Sequence, residues 1–164
     1  MTSDRGSTDQ GSNTFPAAEA GAAAGAGSSD RLKLALRRVF ESQIPNYGDY
    51  NLVCATPAVD ADADAAFYVL GYRWRPAELV FAPFDSGSLA GLEAPTAVNT
   101  TNLSHTDELD ADAYEVGTNT GRIFRFSVEP QAELPGAGGG PLLLEQAADW
   151  EDFRSFVESY LELA

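Results

Sequence analysis

The chain has 164 residues, of which 44% are hydrophobic and 10% aromatic, and its 25 acidic against 10 basic side chains give a net charge of −15. An electrostatic field of that sign repels nucleic-acid phosphates and anionic membrane surfaces, so we expect neither as a partner. The apolar runs, such as residues 65–72, are far shorter than the roughly 20 residues of a membrane helix, so we expect no membrane span.

The acidic residues are concentrated in the later part of the chain. After residue 45 the sequence holds twenty acidic side chains against five arginines, and Lys33 is the only lysine of the whole chain. Dense carboxylates stay hydrated in a salt-rich cytoplasm, where ions screen their repulsion within a few ångströms. We therefore expect adaptation to high salt, with the codon bias of a high-GC genome as the alternative reason for the arginines.

A single cysteine bears on the cellular compartment. Cys54 has no partner for an internal disulfide, and the first residues lack the basic, apolar and small-residue regions of a signal peptide. Both features favour the cytoplasm. The apolar neighbours in residues 52–55 also predict that Cys54 is buried as a small hydrophobe rather than exposed as a nucleophile.

Composition divides the chain at residue 29. Residues 1–29 consist mainly of Gly, Ala, Ser, Thr, Asp and Gln, which is typical of a disordered tail, whereas residues 30–164 form one domain of about 135 residues. Asp30 is suited to cap a first helix that runs to about Gln43 and ends before Pro45. One apolar stripe on this helix predicts packing against the domain, namely Leu32, Leu36, Val39, Phe40 and Ile44.

Beyond Pro45 the apolar period changes from the helical value to two, which indicates strands. We expect strands over residues 50–56, 66–75, 78–84, 96–103, 112–116 and 122–128, followed by a short apolar run at 142–144. Pro76 and Ala77 are the expected turn of one hairpin, and residues 117–121 the loop of another.

A second helix is expected near the end of the sequence. Asp149, Glu151 and Asp152 place negative charge at its amino end, where the helix dipole is positive. Apolar residues at helical spacing predict a face that packs on the core, namely Trp150, Phe153, Val157, Tyr160 and Leu161. The order of helix, about seven antiparallel strands and helix indicates an α+β domain.

A seven-stranded antiparallel sheet closed by a carboxy-terminal amphipathic helix resembles the pleckstrin-homology-like arrangement. The resemblance concerns the topology of residues 50–163, and no sequence motif accompanies it. It implies a recognition domain, although a fold alone does not assign an activity. A cystatin-like or NTF2-like sheet wrapped on the first helix is the alternative arrangement.

Three polar motifs each lack part of the chemistry they suggest. The alternating acids of residues 60–64 lack the glycine and glutamate that complete a calcium loop. His105, the only histidine, lies among acids in residues 104–112, yet transition-metal sites usually have more nitrogen or sulfur donors. The glycines of residues 136–140 precede neither the lysine nor the helix of a phosphate loop. We expect two solvated acidic loops and a linker here, without a metal or cofactor.

Four arginines beyond residue 45 form the main candidate binding group, namely Arg73, Arg75, Arg122 and Arg125. Arg73 and Arg75 share one face of a strand, with Tyr72 and Trp74 on the other. A positive patch in a negative protein suits an anionic ligand or an acidic partner, because arginine matches carboxylate and phosphate geometry. Cross-strand pairing with the plentiful acids is the alternative.

A catalytic signature does not emerge from a chain with one histidine and one cysteine. We therefore predict a non-enzymatic binding or adaptor domain, whose partner is another protein or a small anionic ligand. The four bases of residues 31–38 offer a second docking surface, unless they are the outward face of a buried helix. A small carboxylate-dependent enzyme is the alternative function, since twenty acids give many potential pairs. An exposed apolar patch beside the arginines would favour the binding module, and a cleft with two perturbed carboxylates the enzyme.

Overall fold

The computed structural model describes residues 17–58, 66–136 and 140–164, with the side chains of residues 17–27 excepted. Helix α1 spans Ala17–Glu41 and helix α2 spans Ala147–Leu161, with a short 3-10 turn at Tyr47–Asp49. Neither of these described helices is long and apolar enough to cross a membrane. The strands are β1 (Asn51–Pro57), β2 (Phe67–Trp74), β3 (Ala77–Phe84), β4 (Thr96–Asn99), β5 (Leu103–Asp110), β6 (Ala113–Thr118), β7 (Ile123–Ser127), β8 (Gln131–Pro135) and β9 (Pro141–Glu145).

Seven of these strands form one antiparallel sheet in the order β4-β3-β2-β1-β7-β6-β5. The strands β8 and β9 pair with each other as a separate antiparallel hairpin. The predicted α+β class, with a seven-stranded antiparallel sheet and a helix on either side of it in the chain, is confirmed. The resemblance to the pleckstrin-homology-like arrangement stays a prediction, as does the cystatin-like or NTF2-like alternative.

Both faces of the sheet are covered, which explains why several strands are apolar throughout rather than alternating. The α2 face buries a cluster rich in aromatic rings, including Val53, Leu70, Tyr72, Phe81, Phe124, Phe126, Phe153, Phe156 and Tyr160. The opposite face, which we call the α1 face, packs against α1 and the β8–β9 hairpin through Leu32, Leu36, Val39, Phe40, Cys54, Val69, Val80, Leu134 and Leu144. The apolar stripe predicted for the first helix is therefore confirmed as a buried face at Leu32, Leu36, Val39 and Phe40, whereas Ile44 lies beyond the helix and is half-buried. The four bases of residues 31–38 are exposed.

The sheet curves strongly, so that strands that are not neighbours meet on the α2 face. The rings of Phe81 on β3 and Phe124 on β7 stack with their centroids 4.0 Å apart. Helix α2 contacts both edge strands. The Tyr160 hydroxyl donates a hydrogen bond to the Val98 carbonyl on β4 (2.9 Å), and the Thr106 hydroxyl on β5 donates to the last turn of the helix (3.0 Å). The helix thus links the two edges of the sheet.

The first helix begins earlier than the sequence indicated. Helix α1 starts at Ala17, so Asp30 lies inside the helix and its interpretation as an N-cap is wrong. The physical reason is the alanine-rich segment of residues 17–27, because alanine has the highest helix propensity and outweighs the intervening glycines. The predicted tail of residues 1–29 therefore overlaps α1, and the buried Ser29 hydroxyl accepts a hydrogen bond from the Glu145 backbone amide (2.8 Å). Residues 1–16 lie outside the described residues.

The segment expected as one strand at residues 96–103 contains a turn instead. The Asn102 side-chain oxygen accepts a hydrogen bond from the Asn99 amide (2.8 Å), and the Asn99 side-chain oxygen accepts one from the Thr101 amide (3.0 Å). Asparagine side chains bonded to nearby backbone are typical of turns. The acidic segment around His105 is strand β5 rather than a loop, and its exposed charges fit an edge strand.

Strand β8 has no counterpart among the sequence-based predictions. Its alternation of buried Ala132 and Leu134 with exposed neighbours is short and is flanked by Pro130 and Pro135, which obscure a strand pattern. The hairpin of β2 and β3 turns at residues 75–76, across a cis peptide bond, rather than at residues 76–77.

Candidate functional site

A cleft of about 590 Å³ opens beside the first half of β1, between α1 and the beginning of α2. Pockets that bind ligands measure roughly 300–1,000 Å³, so the cleft has the size of a binding site. Its lining comes from distant parts of the chain and includes Asp30, Lys33, Leu34, Arg37, Tyr50, Asn51, Leu52, Trp74, Gln146, Asp149 and Asp152.

The cleft exists because the sheet is split along β1. This strand pairs with β2 from Asn51 to Ala55, but with β7 only at Thr56 and Pro57. On the side away from β2, no strand of the described residues pairs with the first half of β1.

One side chain replaces the missing strand at the far end of this gap. The Gln146 amide oxygen accepts a hydrogen bond from the Cys54 N–H (2.9 Å), and its amide nitrogen donates to the Cys54 carbonyl (3.0 Å). The same nitrogen donates to the Glu129 carbonyl (2.9 Å). The open part of the edge therefore ends at Cys54.

The two helical walls of the cleft carry net charges of opposite sign. Helix α1 contributes Lys33, Arg37 and Asp30, which together are net positive, and helix α2 contributes Asp149 and Asp152. The Lys33 ammonium lies 3.5 Å from the Asp149 carboxylate, and the two side chains are 42% and 49% exposed. A pair this exposed contributes at most about 1 kcal/mol to stability, so matching charges on a partner can exchange with it at little cost.

A hydrogen bond from the sheet holds the carboxylate of Asp152 in place. The Tyr72 hydroxyl, which points from the α2 face, donates a hydrogen bond to Asp152 (2.6 Å). Burial, followed by this hydrogen bond, raises the pKa of Tyr72 above its usual range, so the phenol remains a donor at neutral pH. The Asp152 carboxylate is therefore held in a defined position on the α2 wall.

An apolar rim borders the mouth of the cleft. Leu34 on α1 is 47% exposed, and Trp74 at the end of β2 is 43% exposed. The Trp74 ring packs edge-on against Phe156, with centroids 5.5 Å apart, which fixes its position. The Arg73 guanidinium lies 4.9 Å from the centre of the ring of Tyr50, which also lines the cleft.

The four arginines of the sequence-based prediction lie in separate surroundings. Arg73 donates to Glu78 (2.8 Å), Arg122 to Glu93 (2.8 Å) and Arg125 to Glu115, while Arg75 lies in the exposed turn after β2. Arg73 and Arg125 stand directly opposite their partners on neighbouring strands, as in the cross-strand alternative. Arg73 contacts Tyr50, which lines the cleft. A role of the four arginines in binding an anion stays a prediction.

His105 belongs to the surroundings of Arg125. Its Nε2 lies 3.0 Å from the Glu115 carboxylate, and its ring covers Gly117, where an added Cβ would come within 2.1 Å of the imidazole. The hydrogen bond from Arg125, with a smaller contribution from His105, holds the pKa of Glu115 below its usual range. Within the described ranges, His, Cys, Asp and Glu side chains form no group of three or more that could hold a metal ion.

Cys54 is buried, as the sequence predicted. Burial raises the pKa of its thiol to about 12, so the thiolate form is absent at neutral pH. The calcium-like acids of residues 60–64 lie outside the described residues, as do residues 137–139 of the glycine segment. The interpretations of these two segments stay predictions.

The sequence-based predictions did not include that Lys33, Gln146 and Asp149 lie close together at one edge of β1. The contact between Cys54 and Gln146 joins residues 92 positions apart, and no spacing or motif indicates it. Trp74 was the available hint, because tryptophan is enriched among the residues that contribute most to binding.

Comparisons of the chain with protein-family models, with curated proteins and with solved structures find no match. The cleft and its chemistry are therefore the basis for a functional argument.

Proposed function

We propose that this domain is a non-enzymatic binding or adaptor module that holds a segment of a partner protein in the cleft beside β1. The observation that carries the proposal is the apolar rim, in which Leu34 and Trp74 are 47% and 43% exposed at the mouth of a cleft with charged walls. Exposed apolar side chains beside a concave surface are typical of binding sites, and tryptophan is enriched among the residues that contribute most to binding.

The charges of the cleft suit binding better than catalysis. Asp149 is paired with Lys33, and Asp152 accepts a hydrogen bond from the Tyr72 hydroxyl. Acid–base catalysis by two carboxyls uses environments that push their pKa values apart, with one of them raised. Among the described residues, the carboxyls with clearly lowered pKa values, Asp85 and Glu115, do not line the cleft. The carboxylate-dependent enzyme stays the alternative prediction.

The partner in this proposal is a polypeptide rather than a nucleic acid. A net charge of −15 repels phosphates, whereas a polypeptide can present an apolar side chain to the rim and charges to both walls. The cytoplasmic location and the adaptation to high salt remain predictions made from the sequence.

A peptide screen on the full-length chain tests the proposal. Binding is followed in ¹H–¹⁵N NMR spectra, where peptides that enter the cleft are expected to shift the Trp74 indole and the Leu34 amide resonances. Replacing one rim residue, Leu34→Ser, is expected to weaken binding about tenfold, because it removes an apolar contact. The matched control is Leu92→Ser, since Leu92 is 60% exposed and does not line the cleft.

Two outcomes would contradict the binding module. One is a screen in which no peptide perturbs the Trp74 and Leu34 resonances. The other is a peptide that binds equally well to the Leu34→Ser and Leu92→Ser variants and shifts resonances only outside the cleft.

A further inference from the structure

We infer that the first half of β1 is a docking edge for an extended peptide segment in which acidic and basic side chains alternate. This inference rests on the proposed function and adds the way in which the partner is held. Two independent observations carry it, namely the unpaired edge of β1 and the opposite charges of the walls on its two sides.

The unpaired edge offers backbone hydrogen bonds. Successive residues of an antiparallel strand direct their N–H and C=O groups to opposite sides. Both backbone groups of Cys54 bond to Gln146 rather than to β2, so those of Leu52, two residues earlier, point to the same side. Leu52 lines the cleft, and no strand among the described residues pairs with it there. An added strand can bond to these two groups, as in other complexes formed by strand addition.

The two walls dictate which side chains such a strand carries. Because α1 and α2 cover opposite faces of the sheet, the alternate side chains of a strand added to β1 point in turn to one helix and to the other. Side chains on the α1 face meet a wall with Lys33, Arg37 and Asp30, whose net charge is positive, and those on the α2 face meet Asp149 and Asp152. Acidic residues on the first face and basic residues on the second match these charges. Neighbouring residues of the peptide therefore carry opposite signs.

The ion pair between Lys33 and Asp149 shows that charged side chains can connect the two walls beside the first half of β1. Lys33 and Asp149 meet across the open edge at 3.5 Å. An alternating peptide replaces this one exposed pair by two, with its acidic residue on Lys33 and its basic residue on Asp149. The β1 residues that line the cleft run from Asn51 to Cys54, about 13 Å of strand, so about four peptide residues fit along the edge.

A second copy of this chain is a poorer occupant of the edge. Its own β1 edge lies equally between two helices, and two molecules with a net charge of −15 repel each other. A separate peptide segment has neither restriction.

The first experiment compares two peptides of identical composition on the full-length chain. The alternating probe is acetyl-Val-Glu-Arg-Glu-Arg-Val-amide, and the block control is acetyl-Val-Glu-Glu-Arg-Arg-Val-amide. In the block peptide, each side of the strand carries one acidic and one basic side chain. On each wall, one of these two side chains therefore meets a charge of its own sign. We expect the alternating peptide to bind about tenfold or more tightly, measured by titration calorimetry. Equal affinities, or no binding of either peptide, would overturn the inference.

The second experiment tests the backbone pairing. Hydrogen exchange of the Leu52 amide, followed by NMR, is expected to be fast in the free chain and to slow down when the alternating peptide binds. Methylation of those peptide nitrogens that face β1 removes donors without changing any charge, and it is expected to weaken binding about tenfold. Exchange at Leu52 that does not respond to the peptide would contradict strand addition.

Hydrogen exchange of the free chain tests whether something other than the peptide already covers the edge of β1. A Leu52 amide that is already protected without peptide would show that another part of this chain or a second copy covers the edge, and the inference would fail. If both peptides bind equally and Leu34→Ser weakens both, the proposed binding module stands and only the alternating strand is refuted.

Discussion

At the scale of single residues, one side-chain amide acts as a strand partner. Gln146 is 2% exposed, and it bonds to both backbone groups of Cys54 and to the Glu129 carbonyl. Buried polar groups that lose their partners remain desolvated and destabilise the fold. The amide therefore stabilises the section of β1 that β7 does not reach.

Replacing this amide by an apolar group of similar size leaves buried backbone groups unsatisfied. Gln146→Leu is expected to lower the free energy of unfolding by about 2–3 kcal/mol, measured by urea denaturation. The control is Gln131→Leu, because Gln131 is exposed and bonds to Glu145 at the surface. We expect the control to change stability by less than about 0.5 kcal/mol, and equal effects of the two variants would contradict the role of Gln146.

Glu115 makes the stability depend on pH. Its pKa is lowered in the folded state, chiefly by Arg125, so the folded chain binds this proton less readily than the unfolded chain does. The stabilisation is fully present above the usual carboxyl range and is lost as the pH falls through the lowered folded pKa. Glu115→Gln is expected to flatten the acid side of the stability profile, measured as the urea midpoint between about pH 7 and pH 3.

The matched control for this profile is Glu133→Gln, at an exposed position of β8. It is expected to keep the acid decline of the original chain. A Glu115→Gln profile that overlays that of Glu133→Gln would contradict a stabilising role of the Arg125–Glu115–His105 group.

At the scale of elements, the contact of α1 with the sheet depends on one glycine. Phe40 is fully buried, and its ring lies so close to Gly71 on β2 that an added Cβ would come within 2.4 Å of the ring. Helix α1 can therefore approach β2 closely only because this strand position has no side chain. The position of α1 in turn sets the width of the cleft.

A methyl group at this position is expected to push the helix away from the sheet. Gly71→Ala should lower the free energy of unfolding by about 1–3 kcal/mol, because a packed core resists an inserted carbon. In the control Gly48→Ala, the added Cβ meets no atom within 4 Å, and stability should hardly change. A thermal-unfolding comparison in which both variants behave alike would contradict the close packing of Phe40 on Gly71.

Local patterns carried most of the fold prediction. The apolar stripe of α1 and the face of α2 follow from helical spacing, and hairpins such as β2–β3 follow from strands that are close in sequence. The pairing of Thr56 with Ser127, and the split that it leaves along β1, depend on contacts between distant residues that no local pattern records. The cleft is a result of that split. Its individual residues can be read from the sequence, but the fact that they lie together could not be predicted from it.

At the scale of the whole molecule, the net charge of −15 acts on the stability of the fold. Arg73, Arg122 and Arg125 each pair with a glutamate, but the chain holds 25 acidic side chains against 10 basic ones. Most carboxylates therefore repel one another across the surface, and this repulsion opposes the compact state. Salt weakens it, since the screening length falls to about 3 Å at 1 M.

Salt is accordingly expected to stabilise the chain, with a rise in the melting temperature between about 0.1 M and about 2 M KCl. A variant with three exposed acids neutralised, Glu133→Gln, Glu151→Gln and Glu158→Gln, separates screening from general salt effects. It should melt above the original chain at low salt, and the difference should shrink as salt is added. A constant difference, or none at any concentration, would contradict repulsion as the cause.

The ion pair across the cleft also gives the molecule an unusual chemical property. Lys33 is the only lysine of the sequence, and its ammonium lies beside Asp149 over the open edge of β1. Among the side chains of this sequence, an acylating reagent or an acetyltransferase therefore finds the only amine at the cleft. Adding an acyl group there removes the positive charge of Lys33, so a single modification both labels this surface and alters its electrostatic match to a ligand.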